Sequence, residues 1–117
     1  AILAEITHPN LVRLFGVSFR EKPWRIVTEF CRGGTLFDLL HNSMHVELVW
    51  AQAWKLCIDV AKAMEYLHGH KPQKIIHRDL KSLNLLLADE VRSSKDTPLV
   101  KVADFGFSKM VDVSKAP

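Results

Sequence analysis

Apolar and polar positions alternate along the first third of the chain. Two β-rich runs, 11–17 and 24–30, are separated by a polar turn that contains Pro23, and this pattern predicts an antiparallel hairpin. Gly33 and Gly34 end the second strand. Thr35 then fits the N-cap of a short helix, with Asp38 at the capping-box position three residues later.

From residue 47 the apolar spacing changes to that of an amphipathic helix, which we predict over 47–68. Gly69 fits the position just after its end, where a left-handed glycine is common. Short apolar runs at 75–76, 85–87 and 100–102 predict strands, and 89–98 reads as a polar surface loop. The helix face expected to be buried comprises Trp50, Ala53, Trp54, Cys57, Val60, Ala61, Met64 and Leu67.

Composition narrows the class of protein. The chain has 117 residues, 48% of them hydrophobic and 25% charged, which is typical of one soluble globular unit. No apolar run approaches the about 18 residues of a membrane span and no signal peptide is visible, so we expect a cytoplasmic setting without a membrane segment in this stretch. The net charge of +3 is scattered, which predicts no nucleic-acid partner. Cys31 and Cys57 are expected to be reduced thiols.

Candidate chemistry is concentrated in two short motifs. Residues 77–84 read HRDLKSLN and match the pattern H-R-D-L-x-x-x-N in full, and residues 104–106 read DFG. His77 is expected to be a buried packing residue rather than a base. Over essentially its whole length, the chain resembles the eukaryotic protein kinases. The resemblance implies phosphoryl transfer, which needs a base for the substrate hydroxyl, oxygen ligands for a metal ion and a cation near the phosphate, and the motifs contain all three.

The resemblance implies a role for each polar residue of the two motifs. Asp79 accepts or orients the hydroxyl proton, and Lys81 lies near the transferred phosphate. Asn84 and Asp104 hold Mg²⁺. Arg78 either docks a phosphorylated activation loop or forms a structural salt bridge, and the two roles are compatible.

The resemblance also implies an ATP site around a hinge at 29–34. The Glu29 carbonyl and the Cys31 amide and carbonyl face adenine, Thr28 is the gatekeeper, and Leu86 forms the floor beneath the base. Adenine needs only one hydrogen-bond donor and one acceptor, which the backbone of any residue can supply, so the side chains of the hinge give little evidence of adenine binding. Cys31 reads equally well as a small buried apolar residue.

The implied fold is α+β, the two-lobed kinase fold in part. We expect 1–117 to be an incomplete kinase domain, with 1–28 in the N-lobe, 29–34 as the hinge and 35–117 in the C-lobe. The matching parts run from the end of the family's helix C through its fourth and fifth strands, helices D and E, the catalytic loop and the seventh and eighth strands to the start of the activation loop. The Gly-rich loop, its companion lysine and the helix C glutamate are expected before Ala1, and an Ala-Pro-Glu segment after Pro117. The loop 88–99 is longer than the family generally has.

The expected function is transfer of the γ-phosphate of ATP, with Mg²⁺, to Ser or Thr hydroxyls of protein substrates in signalling. Lys81 followed by Ser82 resembles serine/threonine kinases, and the segments 28–31 and 33–41 resemble the tyrosine-kinase-like group that includes Raf-like and mixed-lineage kinases. One alternative is a pseudokinase or scaffold module of the same fold. Another is that this stretch is inactive in isolation. A small nucleic-acid or interaction domain would leave both motifs as accidents.

Overall fold

The chain forms short paired strands around one long helix. The computed structural model describes residues 6–42, 46–71, 73–103 and 109–112, the last four by their backbone alone. The elements in it are β1 (Leu14–Ser18), β2 (Arg25–Thr28), α1 (Leu36–His41), α2 (Trp50–His68), β3 (Gln73–Ile76), a 3₁₀ turn (Ser82–Asn84), β4 (Leu85–Leu87), β5 (Val100–Val102) and β6 (Lys109–Asp112).

Strands β1 and β2 form the predicted antiparallel hairpin. Leu14 lies opposite Thr28, and Val17 lies opposite Ile26, with an irregularity in the register after Leu14. Beyond the paired residues, the rings of Phe19 and Trp24 meet edge to face at 5.5 Å, an arrangement that aromatic pairs favour. The hairpin prediction is confirmed.

Helix α1 has the predicted N-cap. The Thr35 hydroxyl accepts a hydrogen bond from the Asp38 amide at 3.1 Å, which satisfies one of the amides that a helix start leaves free. At the other end, the Asn42 amide donates to the Asp38 carbonyl at 2.8 Å. Leu36 and Leu39 are buried, and they fix the helix against the 3₁₀ turn and β4.

Helix α2 begins three residues later than predicted, at Trp50 instead of residue 47. Its first residues are stabilised by Gln52, whose side-chain oxygen accepts the Val49 amide at 3.1 Å. At its end, Gly69 has a φ of −87° and its amide still donates to the Glu65 carbonyl at 2.9 Å. Gly69 was expected at C′, just beyond the helix end, but it is the C-cap residue itself and keeps a right-handed backbone.

The predicted buried face of α2 was right at Leu67, which is buried, and at Val60 and Met64, which pack against the core, but wrong for the first half of the helix. Trp50 and Trp54 are 81% and 60% exposed, and Cys57 is exposed. The face that is buried carries Gln52, Leu56, Asp59, Ala63 and Leu67. Apolar periodicity missed it because two of these five residues are polar, and polar side chains can be buried when tertiary partners satisfy them.

Those partners come from the long loop 88–99 and the strand that follows it. The side-chain NH₂ group of Gln52 donates to the backbone carbonyls of Ser93 and Asp96 at 2.9 and 2.8 Å. Asp59 accepts the Val100 amide at 2.9 Å and pairs with Lys55 at 2.7 Å. The prediction of a polar loop holds, and the structure adds that this loop is tied to α2 by side-chain hydrogen bonds.

We expect Asp59→Ala to destabilise the fold more than removal of its cation does. The change removes the acceptor of a buried amide, which costs about 1–3 kcal/mol when no other partner is found. Lys55→Met keeps the bond between Asp59 and Val100 and should cost less. Chemical denaturation of the full-length protein measures both, with Glu90→Ala as the control, because the pair that Glu90 forms with Arg92 lies on the surface. Equal losses for Asp59→Ala and Glu90→Ala would contradict this account.

The remaining strands form two more antiparallel pairs, β4 with β5 and β3 with β6. Helix α2 packs against β5 and β3, and the buried core between them includes Leu67, Ile75, Leu87, Val100 and Val102. The pairing of β6 was not predicted, since four residues of mixed polarity give no strand signal. Neither helix of the described chain has the length and hydrophobicity needed to cross a bilayer.

Candidate active site

Asp79 lies in the loop between β3 and the 3₁₀ turn, and its neighbour His77 anchors that loop. His77 is 2% exposed, and its Nδ1 accepts the Asp79 amide at 3.1 Å. Its Nε2 lies 2.7 Å from the Ala103 carbonyl oxygen, so we assign the ring proton to Nε2. Both ring nitrogens are used inside the fold, which confirms His77 as a packing residue rather than a base.

Asn84 connects Asp79 to the end of β5. It is buried, and its NH₂ group donates to the Asp79 carbonyl at 2.8 Å and to the Asp79 carboxylate at 3.2 Å. The backbone carbonyl of Asn84 accepts the Ala103 amide at 2.8 Å. The Asn84 side chain uses only its NH₂ group in the two bonds to Asp79, so its side-chain oxygen is the atom suited to ligate a cation.

Lys81 is placed beside Asp79 without being held tightly. Its ammonium nitrogen lies 3.7 Å from Asp79 Oδ2, and the Lys81 side chain is 52% exposed. An exposed pair of this length is weak, so the ammonium can turn towards an incoming phosphate at little cost.

Arg78 has a φ of +72°, in the left-handed region that few residues other than glycine adopt. Such backbone costs on the order of 1 kcal/mol and clusters at functional sites. It turns the chain between buried His77 and the partly exposed Asp79. The Arg78 side chain is exposed, and within the described part of the chain it forms no ion pair.

Asp104, the other expected magnesium ligand, lies outside the described residues. The residue before it, Ala103, is fixed on both sides, through its amide to Asn84 and through its carbonyl to His77. The loop that carries Asp79 and the strand that leads to Asp104 are therefore joined at Ala103.

The segment expected to be the hinge is fastened to β4 by its backbone. The amides of Arg32 and Gly33 donate to the carbonyls of Ala88 and Leu87 at 3.2 and 2.9 Å. Gly34 has a φ of +70°, and its amide donates to the Cys31 carbonyl at 3.3 Å. The Cys31 carbonyl thus closes a turn, while its second lone pair stays usable.

Gly33 is required by this close approach. A Cβ at Gly33 would overlap the Asp89 carbonyl oxygen and lie 2.5 Å from the Leu87 Cβ. Any larger residue would push the segment away from β4. Glycine therefore sets the distance between the end of the hinge segment and the strand that carries Leu86.

Thr28 and Leu86 lie on the two strands that border this segment. Thr28 is exposed at the end of β2, and its hydroxyl donates to the Glu29 carbonyl at 3.2 Å. Leu86 is half-buried, between Leu85 and Leu87, which are buried. Because side chains alternate along a strand, Leu86 lies on the face of β4 opposite to the core.

Lys101 is the residue of this region that sequence reasoning missed. Its ammonium group donates to both carboxylate oxygens of Glu29, at 2.9 and 3.1 Å, and Glu29 also accepts the Arg13 amide at 3.0 Å. Burial alone would raise the pKa of Glu29, but the bonds from Lys101 and Arg13 outweigh it, so the pKa lies below its ordinary value. A lysine between two buried valines in a strand is typical of a solvent-facing position, so no signal in the sequence pointed to this partner.

The pKa of Cys31 is affected by the same pair of charges. Burial raises the pKa of the Cys31 thiol, the negative charge of Glu29 raises it further, and Lys101 partly offsets both. The thiol therefore stays protonated at neutral pH, which fits the reading of Cys31 as a small apolar residue.

Of the two residues expected to ligate Mg²⁺, the structure describes Asn84. The side-chain oxygen of Asn84 is a hard donor, the kind that this ion prefers, and the other expected ligand, Asp104, would supply a carboxylate. No group of three or more His, Cys, Asp or Glu side chains that could hold a metal occurs among the described residues. One described donor, with a second expected at Asp104, fits a cation shared with a phosphate better than a closed protein site.

Comparisons with known proteins identify the class of protein to which the long helix, the strand pairs and the loop around Asp79 belong. Residues 1–116 match the model of the family described as protein tyrosine and serine/threonine kinase. The chain belongs to this family and has its α+β fold.

Three relatives illustrate the similarity. The chain is 41% identical over 108 residues to calmodulin-binding receptor-like cytoplasmic kinase 3 of Arabidopsis thaliana, covering 92% of this chain and 20% of the relative. It is 39% identical over 115 residues to wall-associated receptor kinase 1 of the same plant, covering 97% and 15%. It is 45% identical over 107 residues to a protein of Dictyostelium discoideum named "Probable serine/threonine-protein kinase roco7", covering 92% and 4%. The chain spans a quarter or less of the length of the curated relatives that it matches.

Proposed function

We propose that the full-length protein is an ATP-dependent protein kinase that phosphorylates Ser and Thr hydroxyls of protein substrates. The observation that carries the proposal is the Asp79 carboxylate, held by Asn84 and flanked by the exposed ammonium of Lys81. A carboxylate in a fixed position next to an adjustable cation is what the transfer of a phosphoryl group to a hydroxyl requires.

Each residue has a defined task in this proposal. Asp79 orients the substrate hydroxyl and takes up its proton, and Lys81 balances charge on the transferred group. Asn84 and Asp104 ligate Mg²⁺, which when bound neutralises the phosphate oxygens. Arg78, exposed and without an ion pair among the described residues, is available to a phosphorylated activation loop.

The nucleotide is proposed to lie beside the start of the hinge, residues 29–31, on the face of β4 that carries Leu86. Backbone groups of Glu29 and Cys31 bind the adenine, Leu86 packs beneath it and Thr28 borders the space behind it. Leu86 supports this, since it is half-buried on the face of β4 that the core does not use. In this proposal, residues 1–28 belong to the N-lobe, 29–34 form the hinge and 35–117 belong to the C-lobe.

Specificity for Ser and Thr and membership of the tyrosine-kinase-like group remain parts of the proposal. Lys81 followed by Ser82 supports the first, together with the relative that is named a serine/threonine-protein kinase. A cytoplasmic setting is supported by the relative that is named a receptor-like cytoplasmic kinase and by the ATP that the reaction needs.

The test uses the full-length protein with γ-labelled ATP and pools of Ser, Thr and Tyr peptides. We expect label on Ser or Thr, none in the presence of a chelator, and recovery on addition of Mg²⁺. Nucleotide binding without any transfer would favour the pseudokinase. Label on Tyr alone would overturn the proposed specificity.

The gatekeeper assignment gives a separate prediction. Replacing Thr28 by Met should fill the space behind the adenine, so bulky inhibitors that extend past the hinge should lose about tenfold or more in affinity, because overpacking costs roughly 1–3 kcal/mol. ATP should lose little. Ser18→Met, at an exposed position on the neighbouring strand, is the control. A binding series in which ATP and the inhibitors weaken equally would refute the assignment.

A further inference from the structure

The ion pair between Glu29 and Lys101 joins two parts of the chain that are 72 residues apart. Glu29 follows β2, whereas Lys101 is the middle residue of β5. The side chains of Lys101 and Glu29 are only 17% and 25% exposed, and both carboxylate oxygens are bonded. A pair that is partly shielded from water and bonded twice is held more firmly than a surface pair.

Glu29 is fixed by its backbone as well as by its side chain. Its amide donates to the Arg13 carbonyl at 2.9 Å, and its carboxylate accepts the Arg13 amide at 3.0 Å. The carboxylate therefore cannot swing away from the end of the hairpin without breaking the bond to Arg13. Lys101 therefore bonds to a carboxylate that is held in a fixed position relative to the backbone at the start of the hinge.

Lys101 is also aligned with the proposed floor of the nucleotide site. It lies opposite Leu86 in the antiparallel register of β4 and β5. Residues that face each other in such a pair have their side chains on the same side of the sheet. Strands β4 and β5 form a two-stranded ribbon, and the Lys101 side chain lies on the same face of it as Leu86. From that face it reaches the carboxylate of the hinge residue Glu29.

We propose that Lys101 is a positioning residue for the nucleotide: its ion pair with Glu29 sets the separation between the start of the hinge, residues 29–31, and the ribbon of β4 and β5. This inference rests on the proposed function. The ribbon carries Leu86, and its strand β5 ends at Val102, two residues before Asp104 in the sequence, so one ion pair relates the adenine end of the proposed site to its phosphate end. Loss of the pair widens the slot before any phosphate is engaged, so nucleotide binding should suffer more than the transfer step.

The experiment compares Lys101→Met, Glu29→Gln and the double variant in the full-length protein, with KM for ATP and kcat measured on one peptide. Methionine keeps most of the aliphatic stem of lysine, and glutamine keeps an acceptor for the Arg13 amide. We expect each single change to raise KM for ATP about tenfold with kcat nearly unchanged, and the double variant to rise no further, because contacting residues are not additive. Lys101→Arg should retain the KM of the unmodified protein.

Lys95→Met is the matched control, since Lys95 is exposed on the loop 88–99. It should leave both constants unchanged. If Lys101→Met does not fold, Glu29→Gln gives the same test alone. Effects that multiply in the double variant, or a lower melting temperature with an unchanged KM for ATP, would overturn the inference in favour of a purely structural tie.

Failure of the proposed function has a different signature. An unmodified protein that transfers no phosphate, or one whose turnover survives Asp79→Asn, contradicts the kinase assignment itself. Turnover that depends on Asp79 together with an unaltered KM in Lys101→Met and Glu29→Gln contradicts only the positioning role.

Discussion

Replacing Asp79 by Asn in the full-length protein should lower kcat by roughly 10²–10⁴, the usual contribution of a positioned general base. The geometry makes this a clean substitution. An asparagine oxygen can still accept the bond from Asn84, and the backbone bond from the Asp79 amide to His77 is unaffected. The fold should survive while the proton acceptor is lost, so ATP should still bind.

Turnover of a Ser or Thr peptide and binding of ATP, measured on the same preparation, decide this prediction. Glu90→Gln is the matched control, because Glu90 is an acidic residue in an exposed ion pair on the loop 88–99. Near-normal turnover in Asp79→Asn would point to another base or to a different chemistry. Loss of ATP binding in the same variant would place Asp79 in the nucleotide site instead.

Replacing Asn84 by Ala should have the second largest effect. It removes both donors to Asp79 and the oxygen proposed to ligate Mg²⁺. Residues that orient a metal site typically contribute about 10–100-fold, so we expect a fall of at least that size in turnover. The concentration of Mg²⁺ that gives half-maximal activity should rise as well.

Asn84→Asp separates the two roles of this residue. It keeps oxygen ligands but loses the NH₂ group and places a second carboxylate beside that of Asp79. We expect turnover to fall while the Mg²⁺ requirement changes less than in Asn84→Ala. Asn42→Ala, at the exposed end of α1, is the control and should leave activity unchanged. Identical Mg²⁺ curves for Asn84→Ala and the unmodified protein would exclude Asn84 as a ligand.

Several elements that depend on neighbours along the chain were predicted correctly from local signals in the sequence. The hairpin of β1 and β2, the Thr35 cap and the strands β4 and β5 follow from alternation, turn residues and capping chemistry. The reading of His77 as a packing residue also held. The motifs at 77–84 and 104–106 likewise identified the family, since their residues are adjacent in sequence.

The buried face of α2 shows where local reasoning fails. Trp50 and Trp54 looked like core residues because large apolar side chains usually are. Gln52 and Asp59 are buried instead, because the loop 88–99 and Val100 supply hydrogen-bond partners about 40 residues away. Burial of a polar side chain depends on those partners, and no periodicity in the helix contains them.

By itself, the sequence determined the family, and it predicted most of the short elements and the candidate residues in the motif at 77–84. Only the tertiary structure decided which groups hold Asp79, that Gly33 must be glycine, and that Lys101 reaches Glu29. The physical reason is the same in each case. A motif is written in consecutive residues, whereas a hydrogen bond, a steric overlap or an ion pair between distant residues exists only once the fold has brought them within a few ångströms of each other.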